Sequence, residues 1–141
     1  MKTCVVDSSV VAKWFLPEEH SEEARALLTS GAELIAPDLM PIEVASVAWK
    51  RVQRGELTAE EATALVHDLA TLPMRIEPSD NLIESALEIA LATKRTVYDC
   101  VYVALAIAND CEFVTADERL VNSLVATPLG SHVRHVATWQ T

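Results

Sequence analysis

Four acids in this chain of 141 residues each stand at the edge of an apolar segment. Asp7 ends the run KTCVV, Glu43 lies within IEVASVAW, Asp99 precedes the stretch Val101–Ala108, and Asp117 follows FVTA. An ionised carboxylate beside a core costs free energy unless something compensates it. Two such charges about 4 Å apart repel by about 1 kcal/mol in water and by about 4 kcal/mol at an effective dielectric of about 20. If the four converge, they raise one another's pKa values or recruit a cation. Carboxylate oxygens without neighbouring His or Cys select Mg²⁺ or Mn²⁺ over zinc. A metal so held can orient and deprotonate a water and neutralise charge on a phosphodiester in the transition state, with no separate His base. Metal-assisted phosphodiester hydrolysis is therefore the chemistry open to this set.

Three of the acids also have a plain structural reading. Asp7 and Asp117 can cap the helices that follow them. Glu43 precedes Lys50, Arg51 and Arg54 on one side of a helix, which is the order of charge that a helix macrodipole favours. The dipole explains the signs but not the apolar setting of Glu43. A metal ligand with a phosphate-binding ridge behind it explains both.

The elements that must position these acids alternate between strand and helix. Lys2–Val6 reads as a buried strand, and Ser8 and Ser9 can cap the helix SSVVAKWFL that Pro17 stops. A helix over His20–Ser30, with Gly31 just beyond it, and a strand over Glu33–Ala36 follow. The long helix Asp38–Arg54 carries Pro41 in its first turn, where a missing N–H does little harm. Thr58-Ala-Glu-Glu61 is a capping box, and the helix that it opens reads as purely structural. A strand over Met74–Glu77 and a helix capped by Ser79 or Asp80 and ending near Thr93 come next. The helix begun by Asp99 is apolar almost throughout and must be buried. Phe113–Thr115 is a strand, Glu118–Val125 a helix and His132–Val136 an edge strand. His132 and His135 are spaced H-x-x-H, but a strand puts them on opposite faces, so no zinc site is expected there. The pattern implies one α/β domain over residues 1–141 with a mostly parallel sheet. In such sheets functional groups gather beyond the carboxyl ends of the strands, and all four acids are expected at that edge.

Composition narrows the function. A net charge of −10 argues against a general nucleic-acid coat protein and leaves room for a basic partner. Cys4, Cys100 and Cys111 lie in apolar surroundings without a C-x-x-C pair, as expected of reduced thiols in a cytoplasmic protein. The start, MKTCVVDSS, lacks the pattern of a secretory leader, and no apolar run approaches the roughly 20 residues of a membrane span. A soluble protein is expected.

The segments VVDSSVVAKWF, APDLMPIEVASVAWK, TVYDCVYVALA and FVTADERL together resemble the PIN-domain ribonucleases, and closely the VapC toxins of bacterial toxin–antitoxin pairs. The resemblance extends over nearly the whole chain. It implies a three-layer α/β/α sandwich and a Mg²⁺- or Mn²⁺-dependent endoribonuclease, with Asp7, Glu43, Asp99 and Asp117 as the catalytic, metal-binding acids. Thr115 fills the position of a Ser or Thr that supports the cluster, and Ser8 is expected to support it as well. The same resemblance implies a homodimer and a cognate VapB-type antitoxin that wraps the toxin. Lys13, Lys50, Arg51, Arg54, Lys94, Arg95 and Arg119 are the candidates for the RNA path.

Two other readings compete. Asp7 could be the nucleophile of a phosphotransfer enzyme, but Asp7-Ser8-Ser9 lacks both the D-x-D of dehalogenase-like phosphatases and the paired acids of receiver domains. The chain could be an idle scaffold that only binds a partner, but an idle acid cluster would carry the repulsion given above.

Overall fold

Five short strands, all parallel, form the centre of the molecule in the order β3-β2-β1-β4-β5. They are β1 (Thr3–Val6), β2 (Glu33–Pro37), β3 (Met74–Glu77), β4 (Glu112–Thr115) and β5 (Val133–His135). The computed structural model describes residues 2–140. Seven helices connect the strands: α1 (Ser8–Phe15), α2 (Ser21–Leu28), α3 (Leu39–Gln53), α4 (Ala59–Leu69), α5 (Ile83–Thr93), α6 (Val97–Ala108) and α7 (Glu118–Leu124). With the right-handed crossovers of such units, α1–α4 cover one face and α5–α7 the other. Helix contacts sort the same way: α1 meets α2 and α3, α3 meets α4, and α5 meets α6. This is the expected α/β/α sandwich, with a wholly parallel sheet.

The central strands are buried because both faces are covered. Cys4, Val5, Val6, Ile35, Ala36, Phe113 and Val114 are all closed to solvent. Helix α6 packs on β1, β2 and β4, and Cys100–Ala106 along it are buried. The apolar stretch expected to be core through Ala108 stops short of it. Ile107 and Ala108 are exposed, because the helix there emerges from under the sheet and turns toward β4.

Strand order, more than any single element, creates the site. From β1 the chain steps to β2 and β3, then returns across the sheet to β4 and β5 on the other side. Connections therefore diverge from the carboxyl ends of β1 and β4, which is where parallel sheets leave a crevice. Asp7 and Asp117 lie immediately beyond those two ends.

Candidate active site

Asp7 is fixed from both sides. Its backbone N–H donates to the Val114 carbonyl at 3.0 Å, which holds the end of β1 against β4. Its buried carboxylate occupies the cap position of α1 but does not cap that helix. Oδ2 instead accepts from Ser9 Oγ and Thr115 Oγ1, both at 2.7 Å. Ser8 Oγ stands 3.4 Å from Oδ1. Ser8 and Ser9 thus do not cap α1 as the sequence suggests. A buried carboxylate is the stronger acceptor, and their hydroxyls turn to it. Thr115 Oγ1 also accepts the Asp117 N–H at 3.0 Å, and Ser9 Oγ accepts the Ala116 N–H at 3.1 Å. Burial pushes the Asp7 carboxyl from its ordinary 3.8 up to about 6. The Thr115 and Ser9 hydroxyls oppose that rise, and the charges of Glu43 and Asp99 add to it.

Glu43 stands in the first turns of α3, half-buried. Tyr102 of α6 donates its hydroxyl hydrogen to Glu43 Oε1 at 2.5 Å. The Tyr102 ring is buried and stacks on Phe113, with centroids 5.2 Å apart. Burial raises the Glu43 carboxyl, the hydroxyls of Tyr102 and Ser8 oppose this, and Asp99 reinforces it. Burial and the nearby acids hold the Tyr102 phenol protonated, far above its ordinary range.

Asp99 opens α6, where Thr96 caps the helix by accepting the Asp99 N–H at 3.1 Å. Asp117 does cap its helix, with Oδ1 accepting the Leu120 N–H at 3.1 Å. Its second oxygen stays free of that duty and lies 3.8 Å from Arg95 Nη2. The same nitrogen lies 3.4 Å from Asp99 Oδ2. Burial raises the Asp99 carboxyl, Arg95 opposes the rise, and Asp117 adds to it.

The four acids thus form one electrostatic group. Asp7 feels Glu43 and Asp99, Glu43 feels Asp99, and Asp99 feels Asp117. Among the described residues, no three His, Cys, Asp or Glu side chains meet closely enough to enclose an ion. The donor set nevertheless suits a hard divalent cation. It offers carboxylate oxygens alone, and a cation would offset the burial and the mutual repulsion that raise three of them.

The basic residues read from the sequence are spread out. Lys13 pairs with Glu18 at 3.2 Å. Arg51 pairs with the same Glu18 and with Glu56. Lys50 and Arg54 are exposed and without an ion-pair partner among the described residues, but they lie on the far half of α3, about 10–16 Å along its axis from Glu43. Arg119 is exposed, two residues past Asp117. The expected ridge is thus partly neutralised and runs away from the acids.

Four features escaped the sequence reading: Tyr102, Ser9, the pairing of Arg95 with two acids, and a groove. Tyr102 could have been found, since a phenol in a buried apolar run must have a partner. Arg95 and Asp99 stand four residues apart, the spacing of a helical ion pair. The groove lies between α3 and α4, lined by Ala48, Trp49 and Val52 on one side and by Ala59, Ala62 and Val66 on the other. Trp49 is 60% exposed there. The small residues of α4 leave this apolar groove open beside α3.

The PIN domain family model matches residues 4–122 of this chain. "Ribonuclease VapC3" from Pyrobaculum aerophilum is 34% identical over 124 residues, spanning 86% of this chain and 95% of the relative. "Ribonuclease VapC1" from Mycobacterium tuberculosis is 33% identical over 121 residues, 85% of this chain and 90% of the relative. The fold is similar to that of PAE2754 from P. aerophilum, with TM-score 0.73 and 19% identity over 97% of this chain and 85% of the other. It is also similar to a chain of the VapBC2 structure from Rickettsia felis bound to promoter DNA, with TM-score 0.67 and 12% identity over 98% and 99% of the two chains. A wholly parallel sheet with Asp7 and Asp117 just beyond the strand ends at its switch point, and a match over most of the length, lead to one assignment: the chain belongs to the PIN-domain family, among its VapC-type members.

Proposed function

We propose that the protein is a divalent-metal-dependent endoribonuclease, the toxin of a toxin–antitoxin pair. The observation that carries the proposal is the set of contacts that ties the acids to the switch point: Thr115 Oγ1 donates to Asp7 and accepts the Asp117 N–H, and Arg95 Nη2 faces both Asp99 and Asp117. The VapC ribonucleases to which the chain is similar supply the substrate class. Mg²⁺ or Mn²⁺ held by these four acids would activate water and neutralise charge on the RNA phosphodiester. The protein's own groups prepare the site. Ser9 and Thr115 hold Asp7 in one rotamer, Tyr102 aims Glu43, and the cap on Leu120 N–H holds Asp117 with one oxygen facing the cluster. Arg119, two residues from Asp117, is the exposed cation best placed to meet an RNA phosphate.

A VapB-type antitoxin is the proposed partner. The α3–α4 groove, with Trp49 exposed beside it, offers an apolar lining suited to one face of an amphipathic helix. The net charge of −10 favours a basic partner. A second copy of the chain is proposed to cover α5, where Ile83, Leu87 and Leu91 leave an exposed apolar stripe at helical spacing. No described helix is long and apolar enough to cross a membrane, and the proposed place of action is the cytoplasm.

The test is RNA cleavage by purified protein with Mn²⁺ or Mg²⁺, beside EDTA and an Asp99→Asn sample purified identically. Cleavage at discrete sites that both controls abolish is expected. Equal cleavage by the variant would assign the activity to a contaminant.

A further inference from the structure

Among the described residues, Arg95 is the cation in contact with the acid group. Its Nη2 lies 3.4 Å from Asp99 Oδ2 and 3.8 Å from Asp117 Oδ2. The α5–α6 turn puts it there. Lys94 takes a left-handed φ of 63° at the end of α5, and Arg95 then stands just before Thr96, the cap of α6. That position is a poor one for a cation. The positive end of the α6 macrodipole opposes it. Its Nε is sealed from solvent with no hydrogen-bond partner among the described residues. A buried, unpartnered donor on a charged group is costly, and packing alone does not offset it. What compensates is the pair of carboxylates, which in turn lose part of their mutual repulsion.

We propose that Arg95 is a built-in counter-ion that occupies the cation-facing oxygens of Asp99 and Asp117 in the metal-free protein and competes with divalent metal for them. The inference rests on reading the four acids as a metal site. A guanidinium on these two oxygens draws on the same negative charge that an ion would use, so metal entry is favoured when Arg95 withdraws. A positive charge within a few ångströms of the ion also weakens its binding directly. Arg95 thereby sets the metal concentration at which the site fills. It also keeps the acids together before metal arrives.

The test is titration with MnCl₂, followed by calorimetry and by melting temperature, on the full chain and on Arg95→Gln and Arg95→Met. Glutamine removes the charge, and methionine keeps an apolar stem to pack should the glutamine variant not fold. Both are expected to bind Mn²⁺ about tenfold more tightly than the unaltered protein, and to melt at a lower temperature in EDTA. If the unaltered protein binds Mn²⁺ and the folded variants bind it equally or more weakly, the inference is overturned alone. If the unaltered protein gives neither heat nor a melting shift, the metal-site reading fails and this inference with it.

Discussion

Thr115 donates its hydroxyl hydrogen to Asp7 across 2.7 Å, although 108 positions separate the two in sequence. The bond exists because β1 and β4 are neighbours in the sheet, with Val6 beside Val114. It joins the acid that ends one strand to the last residue of the other. Thr115 also accepts the Asp117 N–H, so one hydroxyl sets the spacing of two acids.

That dual role predicts the effect of trimming it. Thr115→Ala removes a donor to a buried carboxylate and leaves the Asp117 N–H unpaired, at a cost of about 1–3 kcal/mol. Thr115→Ser keeps the hydroxyl and should cost less than about 1 kcal/mol. Urea unfolding in EDTA measures both. Equal losses would assign the effect to the methyl group instead.

Stability without metal should fall as pH rises. The Asp7 carboxyl is raised to about 6 in the fold, so the folded state holds more protons than the unfolded one between the two pKa values. Its protonated form is therefore the stabilised one. Stability is greatest below about pH 4 and declines through pH 6, by an amount on the order of 3 kcal/mol for this group. Glu43 and Asp99 are shifted in the same direction and deepen the decline. Asp7→Asn should flatten the profile and raise the melting temperature at pH 8 in EDTA. An unchanged slope between pH 4 and 7 would remove Asp7 as its source.

Tyr102→Phe separates aim from packing. The stack on Phe113 survives and the donor to Glu43 is lost. The stability cost should be about 1 kcal/mol. Affinity for Mn²⁺ should fall severalfold, because Glu43 is no longer held to one rotamer. Calorimetric titration reads the second effect. Lost stability with unaltered affinity would reduce Tyr102 to a core residue.

Partner binding and cleavage should be separable at Trp49. Its ring stands on the α3–α4 groove, on the outer side of α3 from the acids. Trp49→Glu places a charge in the apolar channel and should weaken capture of an antitoxin by 100-fold or about that, while RNA cleavage stays within about twofold. Matched losses of both would tie the groove to the catalytic conformation.

Much of this protein was legible before any coordinate. The capping box at Thr58 forms as read, with Glu61 and Thr58 exchanging bonds. The helices over α3 and α6 and the five strands fall where periodicity and turn residues put them. These features are local, since a cap or an amphipathic face is decided within a few residues. The four acids stood out for a related reason, as carboxylates set beside apolar runs carry an uncompensated cost. The misreadings came from competition between local and distant partners. Ser8 and Ser9 suit a helix cap, yet the buried Asp7 carboxylate takes their hydroxyls. Arg51 suits a phosphate ridge, yet Glu18 from the α1–α2 connection reaches it first.

The sequence by itself determined the alternation of strands and helices, the apolar α6 and the placing of four acids beside apolar runs, because each is written in residue type and short-range spacing. Only the tertiary structure decided the strand order, and with it everything that crosses between elements. Thr115 meets Asp7, Tyr102 meets Glu43, and Arg95 meets Asp117 as well as its helical neighbour Asp99. The physical reason is that a parallel sheet pairs strands through crossovers of variable length, so contact distance in space has no fixed relation to distance along the chain. Only when β4 is laid beside β1 do its end and that of β1 become one site.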